Sequence, residues 1–106
     1  MRGGLNMHEM MRQAQALQKK IAQAQEDLAQ KSFTANAGGG MVTATVNGRQ
    51  EVLSVRIEKQ VIDPDEAEML QDLIVAAVNS ALNTAKDTAN QEMAKLTGGL
   101  GIPGLM

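Results

Sequence analysis

Four carboxylates stand within six positions in the segment DPDEAE: Asp63, Asp65, Glu66 and Glu68. Carboxylates at that density are the raw material of a divalent-cation site or of an acid–base pair. A cation site, however, needs three or more oxygens converging on one point. The order Asp63-Pro64-Asp65-Glu66 ahead of an apolar ladder instead has a capping residue, a proline at the first helical position and an acid at the third. The first turn of a helix splays those side chains outward and sets them at the positive end of its dipole. The cluster is therefore expected to start a helix and to hold no metal.

The other candidates for chemistry fall away in the same manner. His8 lies between Met7 and Glu9 at the start of a helical pattern, with no thiol in the chain and no Ser–Asp arrangement nearby to complete a triad. The run Ala37-Gly38-Gly39-Gly40 lacks the Lys-Ser/Thr of a phosphate loop and precedes a strand rather than a helix, so it reads as a chain reversal. With no cysteine there is no disulfide, zinc-thiolate site or thiol nucleophile. The expectation is a protein without catalytic residues, cofactor, metal or small-molecule substrate.

Three elements must carry whatever function remains. Apolar residues at Met7, Met10, Ala14, Leu17, Ile21, Ala24 and Leu28 alternate steps of three and four, predicting a helix over 6–31. A seam that narrow needs a second helix to cover it. Asn6 is a candidate cap, with Glu9 three residues on. Met7, Met10 and Met11 suit either an adaptable groove or seam packing, and the seam is the commoner use. Next, SFTANAGGG followed by MVTATV-NG-RQEVLSVRIE predicts three short antiparallel strands. A two-residue turn at Asn47-Gly48, taking positive φ, would pair Val46 with Arg49, Ala44 with Glu51 and Val42 with Leu53. Val42, Ala44, Val46, Leu53, Val55 and Ile57 would then share a buried face. Thr43, Thr45, Gln50, Ser54 and Arg56 would lie on the open one. Finally, Leu70, Leu73, Ile74, Ala77, Val78, Ala81, Leu82 and Ala85 form a wide stripe that continues to Leu96 and stops at Thr97-Gly98-Gly99.

The order is that of an α+β protein: a long N-terminal helix, a three-stranded antiparallel sheet with a β-hairpin, and a long C-terminal helix. Residues 1–97 read as one domain and 98–106 as a flexible tail. With 106 residues and Phe33 as the single aromatic side chain, a monomer has little area to bury, so a homodimer is expected. Its core and seam would draw on Met10, Leu17, Ile21, Leu53, Val55, Leu73 and Ile74. No signal peptide or membrane span is apparent, and a cytoplasmic protein is expected.

Net charge is −2, but residues 1–62 hold eight cations and five acids whereas residues 63–106 hold two and seven. Arg12 and Lys19 fall on the side of the first helix away from the seam, with Lys20 and Lys31 flanking it. Such cations could track phosphates, although Asp27 and Lys31 at i,i+4, and Glu26 on the Arg12 and Lys19 side, are also what a solvated helix carries. The scarcity of aromatic rings disfavours stacking on single strands, so any nucleic acid should be met at duplex backbone.

Four segments in order, MRQAQALQKKIAQAQEDLA, AGGGMVTATVNGRQEVLSVRIE, DPDEAEMLQDLIVAAVNSAL and KLTGGLGIPGL, give the chain a resemblance to the YbaB/EbfC family of bacterial nucleoid-associated proteins. The resemblance implies a dimer, joined through sheet and helices, whose long helices project like tweezers around duplex DNA. It also implies a nucleoid-organising role without catalysis. Carried over by position, the DNA-binding residues are Arg12, Lys19 and Lys20, with Arg2 and Lys31 near the ends of the first helix and Lys86 and Lys95 on the second. A dimeric helical adaptor is the alternative, holding protein partners through the Met-bearing helix face and the apolar tail residues Leu100, Ile102, Leu105 and Met106.

Overall fold

The computed structural model describes residues 7–98, so Arg2, the expected Asn6 cap and residues 99–106 lie outside the described residues. Helix α1 (Met7–Gln30) leads into strands β1 (Ser32–Ala37), β2 (Val42–Asn47) and β3 (Val52–Ile57). Two 3-10 turns, Lys59–Val61 and Pro64–Glu66, then deliver the chain to helix α2 (Ala67–Gly98). The sheet is antiparallel in the order β1-β2-β3. This is the expected α+β architecture.

Helix α2 lies across one face of β1 and β2 and barely touches β3. Its fully buried residues are Ala77, Ala81 and Ala85, one row at four-residue spacing. Small side chains in that row let the helix axis approach Val42, Ala44 and Val46, all of which are completely buried. Phe33 from β1 and Leu28 from α1 complete the core, with Leu70, Leu73, Ile74, Val78 and Leu82 packed around it. The opposite face of the sheet is polar, and Thr34 and Thr45 meet there through their hydroxyls at 3.2 Å. The sheet is thus covered on one side, as its alternation predicts.

The acidic segment starts a helix, by way of a 3-10 turn. Asp63 Oδ1 accepts the Asp65 N–H at 3.0 Å, with Pro64 at the first position of the turn. The glycine run forms the reversal Gly38–Met41, with φ of 64°, 66° and 95° at Gly38, Gly39 and Gly40.

The hairpin differs from expectation. Val42 pairs with Ile57 and Ala44 with Val55, four residues further along β3 than a two-residue turn would set them, and a bulge brings Val52 opposite Val46. Because four is even, the inward and outward faces are preserved despite the slip. The cause lies in the Asn47 side chain. Its Oδ1 accepts the backbone N–H groups of Arg49 at 2.9 Å and Glu51 at 3.0 Å, which holds a longer turn. The left-handed residue is Gln50, at φ 63°, rather than Asn47 or Gly48.

Burial on β3 also differs from the expected pattern. Leu53 and Val55 are 54% and 37% exposed, because α2 stops short of β3. The α1 seam behaves similarly. Leu28 is buried, Ala24, Ile21 and Leu17 are half-buried, and Met10 and Met7 are 57% and 67% exposed. The molecule measures 78 × 24 × 16 Å with a radius of gyration of 20.9 Å. A compact chain of this length would have a radius of roughly 13 Å. The difference reflects two long helices, 24 residues in α1 and 32 in α2, set on a small three-stranded sheet.

Candidate nucleic-acid interface

From Met10 to Gln25, helix α1 carries Arg12, Lys19 and Lys20 and no carboxylate, while Glu9, Glu26 and Asp27 bracket the stretch. Helical geometry sets His8, Arg12, Gln15, Lys19 and Gln23 at steps of three and four along one ridge, and all five are exposed. This ridge lies opposite the apolar seam. Arg12 and Lys19 are seven residues apart, roughly 10.5 Å along the axis. Cations at that interval, with amide side chains between them, suit a row of phosphate oxygens. His8, Met11, Arg12 and Gln15 border a shallow open groove of about 380 Å³.

The cations differ in how freely they can act. Arg12 bonds Glu9 on its own helix, and its side chain remains 72% exposed. Lys19, Lys20 and Lys31 are exposed and make no ion pair among the described residues. The expected Asp27–Lys31 pair does not form: Lys31 lies beyond the end of α1, and Asp27 accepts a hydrogen bond from Gln23 Nε2 at 3.0 Å. On α2, Lys86 is exposed beside Asp87, and Lys95 lies 3.5 Å from Glu92. Such exposed pairs are weak and are readily exchanged for a phosphate partner.

The structure gathers Arg12, Lys19 and Lys20 on one projecting element. It holds Lys31 apart at the root of that element, beside the hairpin turn, and puts Lys86 and Lys95 on α2. Tertiary structure also adds a cation outside the predicted set. The Lys31 carbonyl accepts the N–H of Gly48 at 3.2 Å, which brings Arg49 to the same corner of the molecule. No local sequence signal links positions 31 and 49, since the contact depends on the hairpin folding back against the end of α1. Arg56 lies in the polar sheet face, 3.9 Å from Glu58, and Lys59 follows in the first 3-10 turn.

Asp63 uses its carboxylate to cap a turn, and no group of three acids or histidines among the described residues converges on a metal position. No helix among the described residues is long and apolar enough to cross a membrane. A small α+β body, a projecting helix with one cationic and one apolar face, and an acidic second helix together define a binding module.

The comparisons with known proteins agree. This chain belongs to the YbaB/EbfC DNA-binding family, whose model matches residues 2–100. That family binds DNA and is not a family of enzymes. A nucleoid-associated protein of Syntrophobacter fumaroxidans is 61% identical over 90% of this chain and 86% of its own length. Another, from Clostridium novyi, is 52% identical over 99% of this chain and 92% of its own. The fold is shared with the crystal structure of an uncharacterized protein from Helicobacter pylori, at a TM-score of 0.63 and 21% identity, over 76% of this chain and 93% of that one.

Proposed function

We propose that this protein binds duplex DNA as a homodimer, gripping the phosphate backbone with its α1 helices, and that it serves to organise the nucleoid in the cytoplasm. The observation that carries this reading is the acid-free stretch of α1 on which Arg12, Lys19 and Lys20 all stand exposed. Arg12, Lys19 and Lys20 are its central contacts, with Lys31 at the root, Arg2 beyond the described start of the helix, and Lys86 and Lys95 as peripheral contacts on α2. The acids that make the net charge negative sit mostly in residues 63–106. They therefore weaken the total field more than the local one at α1.

Duplex rather than single-stranded nucleic acid follows from the lack of a stacking platform. The single aromatic ring, Phe33, is 92% buried in the core, its exposure being 8%. Dimerisation follows from the apolar surface a single copy leaves open along the α1 seam and on β3. Residues 1–97 act as one binding and dimerisation domain.

The test is binding to a labelled duplex of about 30 base pairs across a salt series, where a log–log slope of about −2 to −5 corresponds to roughly two to six neutralised phosphates. The triple variant Arg12→Glu, Lys19→Glu, Lys20→Glu should lose binding while remaining folded. Undiminished binding by that variant would refute this site assignment.

One observation favours a second reading, a dimeric adaptor for protein partners. Met7, Met10 and Met11 stand 57–67% exposed on α1, and flexible thioethers suit varied apolar surfaces. Adaptor contacts would survive high salt, whereas phosphate contacts would not.

A further inference from the structure

The structure assigns Gly48 as the positioning residue that aims helix α1. Helix α1 packs against α2 and β2 over its C-terminal half, where Ala24, Ile21 and Leu17 are half-buried. Leu28 is its one buried residue, and burial declines steadily toward Met7. At that end, the hairpin turn lies directly against the helix backbone. A Cβ built on Gly48 would stand 1.8 Å from the Leu28 carbonyl oxygen and 2.4 Å from its carbon. The same glycine donates its N–H to the Lys31 carbonyl at 3.2 Å, and Lys31 in turn donates its N–H to the Leu28 carbonyl at 3.1 Å. Helix end and turn are thereby locked backbone to backbone.

The turn itself is closed by its own hydrogen bonds. Asn47 Oδ1 accepts two backbone N–H groups, Asn47 Nδ2 donates to Glu51 Oε1 at 2.6 Å, and Gln50 closes the loop in the left-handed region. Glycine is therefore required at position 48 by close approach rather than by positive φ, which distinguishes it from Gly38, Gly39 and Gly40. Any side chain there must push the α1 root away by more than an ångström, since real Cβ contacts essentially never fall under 3.0 Å. The displacement is amplified along the helix. Ala16 lies twelve residues, roughly 18 Å, from Leu28, so a tilt of about 10° moves it by about 3 Å. Phosphate contacts made by Arg12, Lys19 and Lys20 depend on that direction.

The effect on DNA rests on the DNA-binding reading, whereas the aiming of α1 does not, and the experiment separates them. Because the chain has no cysteine, Ala16→Cys and Asn83→Cys, both at exposed positions, place one spin label on α1 and one on α2. Diluting labelled with unlabelled chain restricts the measurement to distances within one copy, whatever the oligomeric state. Gly48→Ala should shift the mean distance by about 3 Å or more. Asn47→Ala, which frees the turn without filling space, should broaden the distribution and decides the matter if Gly48→Ala fails to fold.

At fixed salt the displaced helix should cost about tenfold in duplex affinity, with a salt slope smaller in magnitude because fewer phosphates are neutralised. Unchanged distance distributions in folded variants would overturn the assignment. A changed distance with undiminished duplex affinity would overturn its link to DNA binding.

Discussion

Phe33 and Val46 are register partners across β1 and β2, and both point into the core beneath α2, at 8% and 0% exposure. The chain has no other aromatic residue, so this pair holds the largest side chain of a small core built mainly from Val, Ala and Leu. Phe33→Ala should destabilise the fold by about 3–5 kcal/mol, much of what a domain of this size has available. Urea denaturation followed by far-UV circular dichroism would measure it, and a loss under about 1 kcal/mol would contradict the packing described.

The alanine row of α2 predicts the opposite kind of sensitivity. Ala81 is fully buried against the sheet, so Ala81→Leu has to lift α2 or force neighbouring rotamers. A cost of about 1–3 kcal/mol is expected. Asn83→Leu, on the exposed side of the same helix, should be nearly neutral in the same denaturation experiment.

Leu53 and Val55 stand exposed on β3 at the margin of the core, and the reading of this surface as part of a dimer interface makes a specific demand. Leu53→Glu with Val55→Glu should halve the mass seen by sedimentation while the spectrum of the folded chain persists. A dimer that withstands both charges would place the interface elsewhere, with the α1 seam as the next surface to test.

Charge removal distinguishes the two faces of the molecule. Lys19→Ala should lower the magnitude of the salt slope by about one, since each phosphate contact contributes roughly 0.9. Arg56→Ala, in the polar sheet face beside Glu58, should leave the slope unchanged. An unchanged slope in Lys19→Ala would mean that Lys19 holds no phosphate of the duplex.

Much of the architecture was legible in the residues themselves. The three-and-four spacing of α1, the alternation of β1 and β2 and the Asp63-Pro64 start of the last helix are local signals, and each element appears where its signal lies. The hairpin shows where local signals end. Asn47-Gly48 suggested a two-residue turn with positive φ, yet Asn47 spends its side chain on backbone N–H groups and Gln50 takes the left-handed conformation. The glycine is needed because Leu28, twenty residues earlier, passes within contact distance. The apolar face of β3 was equally plain as a pattern, but whether it is covered depends on how far across the sheet α2 reaches.

By itself, the sequence determined the elements, their inward faces and the acid-free run of α1 that carries Arg12, Lys19 and Lys20, because these follow from periodicity and side-chain type along one stretch of chain. The direction in which α1 leaves the body, the backbone bond from Gly48 to Lys31, and the exposure of Leu53 and Val55 were decided only by tertiary structure. Each is a contact, or a missing contact, between segments remote in sequence, and at Gly48 the two backbones approach so closely that a single Cβ would prevent it.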